Sequence, residues 1–247
     1  MIVLFTDFGL AGPYTGQVTA VLQREAPSVP VVSLFADAPS GMLKPSSYLL
    51  AAYAAWFPAG TVLLCVVDPG VGGDRRAVIV EAAGRLYVGP DNGLFEIVLR
   101  RADSAQVGGQ CREITWRPEK LSASFHGRDL FAPVAARLAR GEKPETMARS
   151  TVPMRFANWP DDLAEIVYID HYGNAMTGMR GETVAATATL VCGGRTIALA
   201  RTFSSVPPGT ALWYVNSNGL VEIAVNGGRA DRLIELTIGS KIAIAPA

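Results

Sequence analysis

Unbroken apolar runs alternate with amphipathic stretches through the first half of the chain. Residues 2–5, 29–35, 62–67 and 77–80 are apolar without polar interruption on one face, the pattern of strands buried on both sides. Residues 85–88 extend this as a short strand before the turn Gly89-Pro90-Asp91-Asn92-Gly93, and residues 111–116 predict another strand. Helical periodicity marks residues 14–25, 44–57 and 129–139, with a shorter helix at 94–100. Pro45 falls in a first helical turn and Pro58 just beyond a helix end, where proline is tolerated. Strands alternating with helices predict an α/β domain with a mainly parallel sheet.

The texture changes after about residue 141. Pro144, Pro153, Pro160 and the pair Asp161-Asp162 interrupt any period. Beyond them come short β-type runs at 164–169, 187–192, 195–199, 211–215, 220–225 and 241–244, separated by Gly- and Pro-rich turns. The expected organisation is an α/β domain over 1–150, a linker over 151–162, and a smaller all-β, barrel-like domain over 163–247.

Composition narrows the classes. The 247 residues are 49% hydrophobic and 18% charged, with formal net charge zero, so neither disorder nor nucleic-acid binding is expected. The apolar start gives way at once to Thr6 and Asp7, and no later run is long enough to span a bilayer. Cys65, Cys111 and Cys192 lack paired spacing, which points to a reducing, cytoplasmic setting. Two histidines and no clustered cysteines give no metal-ligand spacing, and no metal is expected.

Several loops carry chemistry-bearing residues. The densest is Val67-Asp68-Pro69-Gly70-Val71-Gly72-Gly73-Asp74-Arg75-Arg76, a carboxylate delivered by a buried strand into a glycine-rich turn. Asp68 and Arg75 flank one loop, so they either orient a water between acceptor and donors or form a salt bridge that pins the loop. Thr6-Asp7-Phe8-Gly9 ends the first strand; Asp7 either receives a vicinal diol or fixes the turn. His126, in Ser124-Phe125-His126-Gly127-Arg128-Asp129, either enters a site or bonds locally to backbone. Asp170 and Asn174 bracket a turn and either read a nucleoside or form an Asx turn. No Walker loop and no GxGxxG after the first strand is present.

Taken together and in order, these segments and Tyr214-Val215-Asn216-Ser217-Asn218-Gly219 resemble the S-adenosyl-L-methionine hydroxide adenosyltransferase family, relatives of the fluorinating and chlorinating enzymes. The resemblance implies an N-terminal α/β and a C-terminal β-barrel domain in a homotrimer, with sites between domains of neighbouring subunits. It implies attack of water or hydroxide on the 5′-carbon of S-adenosyl-L-methionine (SAM), giving adenosine and L-methionine without a cofactor. The family's acid–guanidinium–imidazole trio falls on Asp68, Arg75 and His126. Ribose contact falls on Asp7, aromatic packing on Phe8 and Phe125, adenine or ribose contacts on Asp170, Asn174 and Phe203, and the methionine end on Tyr214, Ser217 and Glu222. Two positions depart from the relatives: residues 35–41 lack a Thr-His element, and Asn218 stands where the halogenating branch has Arg. Halogenation and nucleoside binding without turnover are the alternatives; Asp68 weighs against the first, because a carboxylate repels a halide.

Overall fold

The computed structural model describes residues 1–146 and 150–245. The chain divides into two compact units, Met1–Phe156 and Ala157–Ala247.

The first unit is built on a six-stranded sheet. In chain order its elements are β1 (Ile2–Thr6), α1 (Tyr14–Glu25), β2 (Val31–Phe35), α2 (Leu43–Ala54), β3 (Val62–Val66), β4 (Ala77–Ala82), β5 (Arg85–Pro90), α3 (Glu96–Ser104), β6 (Gly109–Glu113) and α4 (Ala132–Ala139). The strand order is β2-β1-β3-β5-β4-β6. β2, β1, β3 and β5 run parallel, whereas β4 pairs antiparallel with both β5 and β6. The sheet is therefore mixed but mainly parallel, as expected: five of its six strands point one way and β4 alone is reversed. The two-residue link from β4 to β5 leaves room only for a hairpin, since a parallel return needs a crossover of a dozen residues or more.

Alternation along β1 and β3 decides what covers each face. Ile2, Leu4, Val62, Leu64 and Val66 meet Val18, Val21 and Leu22 of α1 and Val134 and Ala135 of α4 in one core. Phe5 points to the other face and meets Phe35 edge-on at 5.3 Å, and Phe35 in turn meets Tyr53 of α2 at 4.9 Å. Ser47 of α2 accepts the Ile97 N–H of α3 at 3.1 Å, which closes this second layer.

Where element ends differ from the sequence reading, backbone chemistry explains it. β2 begins at Val31 because Pro30 has no N–H to give the ladder. The helix expected to run to residue 57 ends at Ala54, and Trp56 and Phe57 close a tight turn on Tyr53 and Ala54. The helix expected over 129–139 is split. Gly127–Phe131 forms a wide π-type turn that runs into α4, and Pro133 sits at the join with no N–H to continue the α ladder.

The second unit contains β7 (Leu163–Ile169), β8 (Ala175–Arg180), β9 (Thr189–Cys192), β10 (Arg195–Ile197), β11 (Ala211–Val215), β12 (Leu220–Val225), α5 (Ala230–Leu233) and β13 (Ala243–Ala245). They make two antiparallel sheets, β11-β12-β8-β7 and β10-β9-β13. Both contribute to one core, with Ile166, Trp213 and Ile223 from the first and Leu190, Cys192 and Ile197 from the second. The expected barrel is not what the pairing shows: among the described residues no continuous strand pairing joins the two sheets, only isolated bridges such as Glu165–Lys241, and no closed barrel forms. All three cysteines are buried and unpaired. Burial pushes the thiol of Cys65 well up, that of Cys111 to about 12, and that of Cys192 up. Among the described residues no helix is long and apolar enough to cross a membrane.

Candidate active site

Parallel pairing of β1 with β3 brings two carboxylates to one sheet edge. Thr6 sits opposite Val66, and the Asp7 N–H donates to the Val66 carbonyl at 3.3 Å. Asp7 and Asp68 thus emerge side by side at the carboxyl end of the strands, the edge at which open α/β sheets place ligands. The Gly41 N–H donates to Asp7 Oδ2 at 2.8 Å. Burial raises the pKa of Asp7 and the negative charge of Asp68 adds to this, while the Gly41 N–H opposes it.

Asp68, Arg75 and His126 are in direct contact. Arg75 Nε lies 3.0 Å from both Asp68 oxygens, and Nη2 donates to Oδ2 at 2.5 Å. The same Nη2 lies 2.8 Å from His126 Nδ1. The pair is deeply set, with side chains only 4% (Asp68) and 10% (Arg75) exposed. The loop that carries them folds against the segment leading to His126. Gly72 adopts φ +81°, and a Cβ there would stand 2.5 Å from the Ala123 carbonyl, so only glycine fits.

The contact fixes the state of the imidazole. A guanidinium donates and never accepts, so Nδ1 must be the bare nitrogen and Nε2 carries the proton. Burial lowers the pKa of His126, and the Arg75 cation lowers it further, against the opposing pull of Asp68. At neutral pH His126 is therefore a neutral ring that offers an Nε2–H donor.

An aromatic group stands beside the trio. Phe8 and Phe125 meet edge-on at 5.7 Å, and Tyr14 at the start of α1 meets Phe125 at 5.4 Å and Phe8 at 6.2 Å. Arg128 lies over the Phe125 ring at 5.0 Å while ion-paired with Asp129, and Asp129 Oδ2 accepts the Ser122 N–H. These contacts hold the 122–129 segment at both ends.

The second unit carries its own polar cluster. The turn between β7 and β8 is closed by Asp170, which accepts the Asn174 N–H at 2.8 Å and the Asn174 Nδ2 at 2.9 Å. On β12, Glu222 is buried; its Oε1 accepts the Tyr214 hydroxyl and its Oε2 accepts Asn216 Nδ2 at 2.8 Å. Burial raises the pKa of Glu222, these two donors oppose the rise, and the charge of Asp170 adds to it. Phe203 stacks obliquely on Tyr214 at 5.5 Å. Ser217 is exposed at the tip of the β11–β12 hairpin.

The family models for the SAM hydroxide adenosyltransferase N-terminal and C-terminal domains match residues 2–148 and 164–243. The chain belongs to the SAM hydroxide adenosyltransferase family. A Thermus thermophilus protein named (R)-S-adenosyl-L-methionine hydrolase is 39% identical over 259 residues, covering 98% of each chain. A Salinispora arenicola protein of the same name is 36% identical over 249 residues, covering 97% of this chain and 95% of its own. Among solved structures, an uncharacterized conserved protein from Thermotoga maritima is similar over the whole of both chains, with TM-score 0.85 and 30% identity.

In this hydroxide adenosyltransferase, then, the residues anticipated from sequence separate into two groups. Asp7, Phe8, Asp68, Arg75, Phe125 and His126 gather in the first unit. Asp170, Asn174, Phe203, Tyr214 and Glu222 gather in the second, with Ser217 at its hairpin tip. Sequence reasoning missed two participants. Asn216 holds Glu222 with its amide and accepts the Asn218 and Leu220 N–H groups with its oxygen. Its signal was the Asn-Ser-Asn-Gly turn, in which the first residue rather than the serine organises the hairpin. Tyr14 gave no signal beyond its place at a helix start.

Proposed function

We propose that this protein hydrolyses SAM to adenosine and L-methionine by in-line attack of water on the 5′-carbon, acting on the same (R)-sulfonium epimer that names its relatives. The observation that carries the reading is the contact chain Asp68–Arg75–His126 at the strand edge, within a chain of this family. The sulfonium is a good leaving group, so no acid need protonate it. The task is to fix a water in line with the C5′–S bond, and orientation of this kind supplies about 7–11 kcal/mol in the best cases.

The hydrogen bonding divides the roles. His126 Nδ1 is engaged by Arg75 and Nε2 already bears a proton, so the imidazole serves as a donor to the water oxygen and not as the base. Asp68 is the acceptor in the trio and takes the water's proton as the C5′–O bond forms. Arg75 holds the carboxylate and the imidazole in one plane of donors and acceptors. The C5′–S electron pair leaves with sulfur, and the sulfonium becomes the neutral thioether of methionine. We assign Asp7 to the ribose diol, Phe8 and Phe125 to the nucleoside face, Asp170, Asn174 and Phe203 to adenine or ribose, and Tyr214, Ser217 and Glu222 to the methionine end. None of these steps calls for a metal or redox cofactor. By family resemblance, each complete site joins the first unit of one subunit to the second unit of the next in a homotrimer.

Incubation of each SAM epimer with the protein in oxygen-18 water, followed by chromatography and mass spectrometry, tests the proposal. Label in the adenosine 5′-hydroxyl, formed from the (R)-epimer, is expected. Product without label removes direct attack by water, and halide-dependent 5′-halo-adenosine would instead favour the halogenating branch. Mixing Asp68→Asn and Glu222→Gln subunits tests the shared site, because only an interface site regains activity on mixing.

A further inference from the structure

The turn Gly89-Pro90-Asp91-Asn92-Gly93 has no part in the chemistry above, yet it grips both stems of the loop that carries Asp68 and Arg75. β5 runs parallel to β3, so this turn reaches the same strand edge. Asn92 Nδ2 donates to the carbonyl of Val67, the residue before Asp68, at 2.9 Å. Asp91 Oδ2 accepts Arg76 Nε, the residue after Arg75, at 2.9 Å, and the Asp91 N–H donates to the Arg76 carbonyl at 2.9 Å. Both side chains are buried, with Asp91 4% and Asn92 8% exposed. The remaining atoms are engaged as well. Asn92 Oδ1 accepts the Leu94 N–H at 3.2 Å, and Asp91 Oδ1 accepts the Met154 N–H at 2.8 Å. Arg76 also donates to the Val152 carbonyl at 2.6 Å, so the 151–154 segment buttresses the clamp from outside.

We propose that Asp91 and Asn92 are positioning residues for the hydrolysis, clamping the two stems of the 68–75 loop so that Asp68 and Arg75 meet His126 in register. Neither needs to touch substrate. A carbonyl held on one side and a guanidinium on the other fix the span of the loop, and the span fixes where the Asp68–Arg75 pair stands. A shift of the order of 1 Å in such a pair is enough to cost about 10²-fold in rate.

The proposal rests on the hydrolase reading for its kinetic arm only. Asp91→Asn keeps the side-chain shape and an acceptor for Met154 but removes the charge from Arg76; Asn92→Ala releases Val67. In each variant kcat for SAM hydrolysis is expected to fall about 10²-fold with KM within twofold of wild type. The second readout is the His126 ring titration by NMR, simple to follow because the chain has two histidines and His171→Gln identifies the other. His126 is faced by Arg75, Asp68, Arg117 and Asp129. When the loop slips, the ring loses both its cover and the Arg75 cation, and its titration moves up toward 6.5, the ordinary value. A purely structural role would lower stability without moving that titration in the folded protein. Folded variants with wild-type kcat, or with an unmoved His126 titration, overturn the clamp. If Asn92→Ala does not fold, Asp91→Asn carries both readouts. If the wild type forms no adenosine from either epimer, the hydrolase reading falls, and the ring titration still decides the clamp.

Discussion

Replacing Asp68 by Asn tests the buried pair at the centre of the site. Arg75 reaches Asp68 through three N–H···O contacts, with both side chains almost out of solvent. The amide keeps one acceptor oxygen but removes the charge and turns a second acceptor into a donor facing Arg75. Breaking a buried pair from one side costs about 3–5 kcal/mol, and the retained oxygen places this case near the lower end, at about 3 kcal/mol. For a protein of this size each kcal/mol shifts the melting temperature by about 2–4 °C, so a drop of about 6–12 °C is expected by calorimetry. Most of that cost is the guanidinium left without its counter-charge, so Asp68→Asn with Arg75→Met should melt above Asp68→Asn alone. Both forms should lose turnover. A single variant within about 2 °C of wild type, or a double variant whose losses simply add, would refute the claim that the two side chains form one buried unit.

Other outcomes follow from the same geometry. The acid limb of kcat should lie below 6.5, because burial and Arg75 hold His126 neutral and protonation would place an N–H against the guanidinium. In that window the unfolded chain binds the proton first, so stability also falls as pH drops from about 6.5 through the folded value, and His126→Asn should remove this dependence in calorimetric melts. Glu222 has the opposite sign: its raised pKa means the folded state holds the proton longer, so stability declines as pH rises from 4.5 through the folded value, and Glu222→Gln flattens that decline. Gly72→Ala should destabilise by about 1–2 kcal/mol and lower kcat, since φ +81° and the Ala123 carbonyl both exclude a Cβ; an unchanged melt would show that the loop does not press on the His126 segment. Dialysis against EDTA should leave the rate of adenosine formation unchanged, and recovery of a lost rate by added divalent metal would count against the metal-free scheme.

Much of the fold was legible because burial on both faces leaves a plain trace: apolar runs marked β1, β3 and β4, and helical spacing marked α1 to its ends. What escaped depended on partners distant in sequence. β8, Ala-Met-Thr-Gly-Met-Arg, has weak strand propensity and becomes a strand because β7 and β12 pair with its two edges. The direction of β4 was hidden because an apolar run looks the same in either orientation. Motif order singled out Asp68, Arg75 and His126, but no spacing rule says that a guanidinium and an imidazole 51 positions apart are in contact. That contact alone settles which ring nitrogen is bare. For Asn216, the sequence marked the turn and, by resemblance, Glu222, but not the hydrogen bond that joins the two.

The buried thiols of Cys65 in β3 and Cys192 in β9 lie in different units, and both have pKa values pushed upward. A thiol held protonated and out of solvent reacts with an alkylating or disulfide reagent only when its surroundings come apart. Each cysteine is thus a native clock for its own half of the chain, Cys65 timing the opening of the sheet and Cys192 that of the β-rich unit. Mass spectrometry of the labelled peptides would yield two separate opening rates from the unaltered protein, with no engineered probe.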